Sequence, residues 1–430
     1  MSPITLSAAT IYSTRDRDGV KAHQLPLPLG PKGGYRLLAE ALDQIEALPA
    51  VQDFLDSIVN SRRNTRPGYP PVAMFRAFCT KYLLAERFTV GLIERLRSSP
   101  KLREVCGLDS IPSESTFSRF FNRLADLPDP DALLAQMVGK LRELLPGLGQ
   151  DVAVDSTDIE AYANPNRTVV RDTEATWGRR TTKSSSNSKE KTEPFFGYKM
   201  HALNDAVHGV PLVHIVHPAN QNDSPELPRL VEKAQAMFGW LAPDHLLADR
   251  GYDSQANHKF LVSRGIAPII HVRKPTAHDG LHDGLYDRNG FPVCGDGKTR
   301  MDYIRTDPTT GHHLFRCPPE GCALKAKSTG AMRYCDIPDY WLDPQDNFRA
   351  VGVVARASPE WKELYARRQV IERMFGSMKR SRLLNRHQYM ARRKLETHVT
   401  MSVLTYLATM LARVLAGDVD RVRRMRIGVG

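Results

Sequence analysis

Val152-Ala153-Val154-Asp155-Ser156-Thr157 is a short apolar run that stops on a carboxylate and then turns polar. Two valines around an alanine, bounded by polar residues, read as a buried strand of an α/β sheet. In open sheets of that kind, ligands and reacting groups collect beyond the strand C-termini, which is where Asp155 falls. The texture recurs downstream. His245-Leu246-Leu247-Ala248 reads as a strand and stops on Asp249, followed by Arg250-Gly251. Between the two, 198–203 and 211–216 read as paired strands and 227–237 as a helix. A helix at 254–264 and a strand at 267–272 continue the alternation, and 165–194 reads as a polar, solvated loop. An Asp after a strand is also an ordinary turn or cap residue, and Asp151, Asp158 and Asp253 lie close by. Asp155 and Asp249 are set apart because each directly follows its apolar run.

Upstream of this α/β stretch the period changes to that of helices. Phe75, Phe78, Cys79 and Tyr82 share one helix face,. Thr89 reads as the cap of a helix carrying Leu92, Ile93 and Leu96. Ser99-Pro100 reads as a cap with Pro at the first helical position, and Gly107 closes that helix. Ser113 opens a further amphipathic helix to Leu124, with Phe117, Phe120, Phe121 and Leu124 inward. Short helices ending in one that exposes Ser, Thr and Arg resemble a helix-turn-helix unit that enters a DNA groove; a plain helical bundle gives the same pattern.

Composition bounds the rest. The 430 residues are 41% hydrophobic and 25% charged, enough apolar matter for a sizeable core and against disorder as the main state,. At ~150 residues per domain the length suggests two or three domains. Six cysteines are too few for a disulfide scaffold,. The most apolar stretch, 397–416, contains His398, several Thr and Arg413, and reads as a buried helix instead of a membrane span,. With no basic patch and apolar run near Met1, the expectation is a cytoplasmic protein. No G-x-x-x-x-G-K-[ST] loop is present, so ATP use is not expected,. His201, His214 and His217 read as core residues, as do Cys79 and Cys106.

The net charge is +12, and it is unevenly placed: 356–430 holds 17 Lys and Arg against 6 Asp and Glu. From Pro359 the chain reads as helical, and there Tyr365, Arg368, Glu372 and Lys379 recur at helical spacing. At ~100° per residue these four fall on one stripe. Ile371, Met374, Phe375 and Met378 supply a core face, while Arg367, Arg373, Arg380 and Arg382 add cation without matching acid. Intrahelical ion pairs explain part of such a stripe; the surplus of cations fits a phosphate backbone.

Tyr365-x2-Arg368-x3-Glu372-x6-Lys379, with Val154-Asp155-Ser156-Thr157 and Ala248-Asp249-Arg250-Gly251-Tyr252, resembles the three blocks of bacterial insertion-sequence transposases of the DDE class. The branch is the one with a Y-R-E-K signature, the insertion-sequence-four/five type. Phe196-Gly197-Tyr198-Lys199-Met200-His201 and Pro218-Ala219-Asn220-x2-Asp223 are similar to the family's intervening segments, and 70–124 to its N-terminal domain. The resemblance implies an α/β, ribonuclease-H-like catalytic core at 147–274 and 346–415. It places an inserted subdomain at 275–345, an all-α DNA-binding domain at 35–146, a flexible arm at 1–34 and a basic tail at 416–430.

The resemblance further implies that Asp155, Asp249 and Glu372 are the catalytic, metal-binding carboxylates, holding two Mg²⁺ for which Mn²⁺ substitutes. Such acids repel by roughly 4 kcal/mol per pair at 4 Å and an effective dielectric of 20, so a site without cations should be loosened. Tyr365, Arg368, Arg373, Lys379 and Arg380, with Arg119 and Arg123 of the helical domain, are implied to face double-stranded DNA. The implied active form is a homodimer that cleaves element ends and transfers strands, without a membrane. The alternative is a domesticated chain that kept DNA binding and lost cleavage. In the insertion, Cys294, Cys317, Cys322 and Cys335 lie near His312 and His313. Four thiolates suit a tetrahedral zinc site, but no C-x2-C pair is present, and free thiols in a loop-rich insert remain the other reading.

Overall fold

The structure, a computed structural model, describes residues 33–61, 68–183, 190–273, 286–287, 289–294, 298–318 and 339–429. The chain divides into two compact units. The first comprises the described residues of Met1–Pro146, Ile159–Tyr198 and Met374–Gly430; the second, those of Gly147–Asp158 and Lys199–Arg373.

The first unit opens with helices α1 (Gly33–Glu46), α2 (Pro49–Asn60), α3 (Pro71–Leu83), α4 (Thr89–Ser98), α5 (Pro100–Cys106), α6 (Glu114–Ala125) and α7 (Asp131–Leu144). Their ends follow local chemistry. The Ser99 hydroxyl accepts from the Leu102 N–H at 3.2 Å to start α5, and Gly107, at φ +70°, closes it in the left-handed region,. Thr89 is a correction: it is the buried first residue of α4, and Phe88 takes the cap position without a side-chain bond. Phe54, Phe75, Phe78, Phe120 and Phe121 meet with ring centroids 5.6–6.4 Å apart, mostly tilted or edge-on. Each such pair adds about 0.5–1.5 kcal/mol beyond area burial.

The second unit is built on β1 (Asp151–Glu160) as far as Asp158, β3 (Glu190–Asp205) from Lys199 onward, β4 (Pro211–Pro218), β5 (His245–Ala248) and β6 (Ala267–Ile270); the remainders of β1 and β3 lie in the first unit with β2 (Thr176–Lys183). The order β4-β3-β1-β5-β6 puts a strand hairpin on one side of β1 and parallel neighbours on the other. Helices α8 (Glu226–Met237) and α9 (Gln255–Val262) provide the crossovers,. A separate three-stranded antiparallel sheet, β7 (Asp302–Thr306), β8 (His313–Arg316) and β9 (Asp339–Leu342), lies in the 275–345 stretch. Helix α10 (Pro359–Arg367) follows, and α11 (Gln369–Ser381) starts in this unit.

Two expectations are corrected here. β1 does not end at Asp155 but runs to Glu160, because β3 still pairs with it after β5 has stopped. And 165–194 is not all loop: β2 pairs antiparallel with β3 from Thr176↔Gly197 to Lys183↔Glu190. Its period-two signal is hidden because the strand is polar, with Arg180 opposite Glu193 on β3 and 3.9 Å from its carboxylate,.

The first unit is completed by α12 (Arg392–Leu415), packed on α1, α3, α6 and α7. It is long and apolar enough to cross a membrane, yet its most apolar window is 94% buried in the fold. Its internal hydroxyls donate back one turn, Ser402 to the His398 carbonyl, Thr405 to Met401 and Thr409 to Thr405, at 2.7–2.9 Å,. That is how a Ser- and Thr-bearing helix sits in a core. After it, Met425 and Ile427 are buried, and Gly34 meets Gly428 so closely that a Cβ would stand 1.6 Å from the Gly428 oxygen.

Candidate catalytic carboxylate site

Register brings the first two acids together. β1 and β5 pair in parallel from Asp151↔His245 to Val154↔Ala248, so Asp155 and Asp249 are the next residues on adjacent strands. Neighbouring strands lie about 4.8 Å apart. Asp249 caps the short 3₁₀ turn Arg250–Tyr252, its Oδ1 accepting the Gly251 N–H at 2.8 Å. A Cβ on Gly251 would lie 2.9 Å from that oxygen, so a larger residue there would push the Asp249 carboxylate aside. Asp155 Oδ1 accepts the Ser156 N–H at 2.8 Å.

The third acid arrives through Arg368. Its Nη1 lies 3.3 Å from Asp155 Oδ2 and its Nη2 2.5 Å from Glu372 Oε1, so one guanidinium bridges β1 and α11. Asp155 is nearly enclosed, whereas the Glu372 side chain is 53% exposed. The Arg368 guanidinium also stands 5.6 Å from the Tyr365 ring centroid. Tyr365 stacks on Trp361 at 4.9 Å and 7°, with the His271 ring 4.2 Å away, so it packs as well as facing the site.

The single helical stripe read from the sequence is corrected. α10 and α11 are separate, with Arg368 at their junction. The Arg368 N–H bonds Tyr365 O and the Ile371 N–H bonds Arg368 O, both three residues apart, a tightened turn,. Tyr365, Arg368 and Glu372 still converge. Arg373 is exposed and bonds Gln369 at 3.1 Å. Lys379, half-buried, and Arg380, exposed, lie on the part of α11 that belongs to the first unit. Arg119 and Arg123 are exposed on α6.

Four further residues border the site: Lys199, His201, Asp223 and Tyr252. Asp223 raises the pKa of Asp249 by its charge and is itself held by Lys199 Nζ at 2.9 Å. Tyr252 is fully buried, its hydroxyl 3.3 Å from His201 Nδ1, and burial first, then the charges of Asp155, Asp223 and Asp249, hold its phenol neutral. The signal for Lys199, His201 and Asp223 was their place in two segments matched to family blocks; nothing in spacing alone marks them.

Electrostatics express the crowding. Burial first, then the charges of Asp249 and Glu372, push Asp155 up to about 7, against the opposing pull of the Ser156 N–H and Arg368. Asp249 is also raised, chiefly by burial and in part by Asp223. Among the described residues no three His, Cys, Asp or Glu side chains are drawn close enough to hold a metal ion. Arg368 takes the counter-charge position instead, and the donor set is all carboxylate, which suits a hard dication.

A stability prediction follows. A carboxyl raised in the fold binds protons that the unfolded chain has lost, so stability present near pH 4 is lost as pH rises through about 7,. In chelator, Asp155→Asn is expected to raise stability over wild type at pH 8 by on the order of 3 kcal/mol, with little gain at pH 4. Thermal melts at both pH values check it; equal curves would remove the repulsion.

In the insertion, Cys294 and Cys317 are buried with sulfurs 3.4 Å apart. Cys322 and Cys335 lie outside the described residues. Both His313 nitrogens are engaged, by Thr306 at 2.8 Å and the Gly352 carbonyl at 2.9 Å, and His312 is 3.4 Å from Asp343.

Residues 146–408 match the family described as Transposase DDE domain, and 33–123 match Transposase domain (DUF772). A Burkholderia cepacia protein described as a transposase for insertion sequence element IS402 is 36% identical over 110 residues, 24% of this chain. The match spans 50% of that relative's length. Among solved structures, a piggyBac transposase synaptic complex with hairpin DNA aligns at TM-score 0.39 and 10% identity, covering 93% of this chain and 82% of that one.

Proposed function

This chain belongs to the Transposase DDE domain family, and we propose that it is a DNA transposase that cleaves the ends of an insertion element and joins them to new DNA. The observation that carries the reading is the Asp155–Arg368–Glu372 bridge, set beside Asp249 by strand register. The Y-R-E-K branch is supported by Tyr365, Arg368 and Glu372 gathering at one place. A ribonuclease-H-like core is supported by a sheet in which β1 has a hairpin on one side and parallel neighbours on the other. The core spans 147–274 and 346–415, with the insertion at 275–345 and the helical DNA-binding domain at 35–146.

Asp155, Asp249 and Glu372 would hold two Mg²⁺, or Mn²⁺ in their place. Bound there, such a pair activates the attacking oxygen and stabilises the leaving one during in-line displacement at phosphorus. To hold a cation Asp155 must give up a proton that, with its pKa raised to about 7, it still carries about half the time near neutral pH,. Arg368 exchanges its carboxylate partners for a phosphate, which its fork fits bidentately. Tyr365, stacked on Trp361, orients that guanidinium. Lys199 holds Asp223 beside Asp249, and buried Tyr252 stays neutral behind them. The first cut leaves a 3′-hydroxyl, which then attacks a second phosphodiester and releases its 3′-oxygen. Duplex DNA is the partner, and a homodimer handles the two ends.

The test uses the DNA flanking the reading frame. Purified full-length chain is expected to nick duplexes carrying those flanks at one defined phosphodiester in Mg²⁺ or Mn²⁺, and not in chelator. Sequence-specific binding without any cut would instead mark a binding-only derivative.

A further inference from the structure

The first unit carries a cleft of about 660 Å³ between the end of α3, the end of α11 and the C-terminal segment. Arg95, Arg380, Arg382, Arg423, Arg424 and Arg426 line it, with no Asp or Glu among the lining residues. Arg95 is paired with Glu86. Arg382 is the most deeply buried of them.

Arg382 is 0% exposed, and its donors meet only neutral acceptors. These are the carbonyls of Ser381 at 2.5 Å, Met425 at 2.8 Å and Leu83 at 3.4 Å, and the Thr409 hydroxyl at 2.6 Å. Its Nε has no partner. Burial lowers its pKa to about 9, and no carboxylate counters that. A guanidinium taken out of water costs several kcal/mol unless an anion answers it. An anion in this cleft would do so.

The exposed arginines are held in place and not left on a loose tail. Met425 and Ile427 point inward while Arg424 and Arg426 are exposed, the alternation of an extended segment,. Arg413 Nε donates to the Arg424 carbonyl at 2.7 Å and Arg382 to that of Met425, and Gly428 is seated against Gly34. The segment's backbone is tied to the helices, so its guanidinium groups are presented at fixed positions around a concave, acid-free surface.

We propose that this cleft is a phosphodiester site that seats the backbone of duplex DNA, Arg424 and Arg426 contacting phosphates above the buried Arg382. The proposal rests on the transposase reading for the identity of the ligand, and it is separate from the carboxylate site. Guanidinium groups fit phosphate oxygens two at a time, and such contacts bind without regard to base sequence.

The experiment measures binding of full-length chain to a fluorescent 20-base-pair duplex of arbitrary sequence, in chelator, across a salt series. Arg382 is left in place because its bonds to Leu83, Thr409 and Met425 support the local fold. Arg424→Gln/Arg426→Gln is expected to melt like wild type, to bind more than tenfold more weakly near 0.1 M salt, and to show a log–log salt slope shallower by about two units. An unchanged slope in a wild-type-like fold overturns the cleft, and the transposase reading stands if the wild type still nicks element ends. A wild-type chain that binds no duplex overturns both.

Discussion

Asp155→Asn, Asp249→Asn and Glu372→Gln are each expected to cut strand cleavage by about 10³-fold or more, equivalent to about 4 kcal/mol of transition-state stabilisation. Each swap keeps shape and removes one negative charge from the set meant to hold the cations. Binding to the same duplex should change little, since none of the three attracts phosphate. The effects should not add: once one carboxylate is gone the ion pair is incomplete, so a double variant falls to the same floor. Arg368→Ala should differ in kind. It frees Asp155 and Glu372 from their counter-charge and removes a phosphate contact, so it should weaken DNA binding while leaving metal binding intact. Single-turnover cleavage and anisotropy on the same preparations separate these outcomes. Full cleavage by any one carboxylate variant would take that residue out of the set.

Asp253→Ala is expected to destabilise the chain by about 3–5 kcal/mol, the cost of stripping one partner from a buried ion pair. Asp253 is fully buried four residues after Asp249 and takes Arg349 on both oxygens at 2.7–3.1 Å. It also accepts from His258 Nε2 at 3.1 Å and from the Arg273 N–H at 2.7 Å. These partners hold its carboxyl well below the ordinary range despite burial. A lowered carboxylate pKa gives stability that is present above about pH 4 and lost only as the pH falls into strong acid. Arg356, buried beside this pair with its pKa lowered to about 10, adds a second cation that relies on the same charge. The double variant Asp253→Leu/Arg349→Met should therefore recover part of the loss. Denaturant midpoints measure it; a double variant as unstable as the sum of both singles would contradict the coupling.

Much of the site was readable from residue order because its logic is local. An apolar run that stops on an acid announces Asp155 and Asp249, and parallel pairing of those two runs puts the acids side by side. The spacing of Tyr365, Arg368 and Glu372 survives the break between α10 and α11, since one tightened turn shifts the stripe only slightly. The surplus of arginine after residue 356 was visible, but burial was not. Arg382 looked like one more surface cation and is wholly enclosed, because its partners come from Leu83, Thr409 and Met425, far apart in sequence.

What failed did so for physical reasons. β2 carries no apolar alternation, because its pairing with β3 rests on backbone bonds and a facing charge pair, Arg180 with Glu193. Asp223 was quoted as part of a motif without a role, since its position next to Asp249 depends on the turn after β4 and on the absence of a side chain at Gly251. The end of β1 is not legible at Asp155, because β1 has a different neighbour on each side and only one of them stops there.

The central claim is that Asp155, Asp249 and Glu372 surround one metal centre. Replacing Mg²⁺ with Fe²⁺ and adding ascorbate and peroxide releases hydroxyl radicals at the bound ion, which cut the polypeptide nearby. The account predicts chain breaks near residues 155, 249 and 372 together, suppressed by excess Mg²⁺ and lost in Asp155→Asn. Breaks at only one of the three segments, or breaks that Mg²⁺ does not suppress, would contradict it.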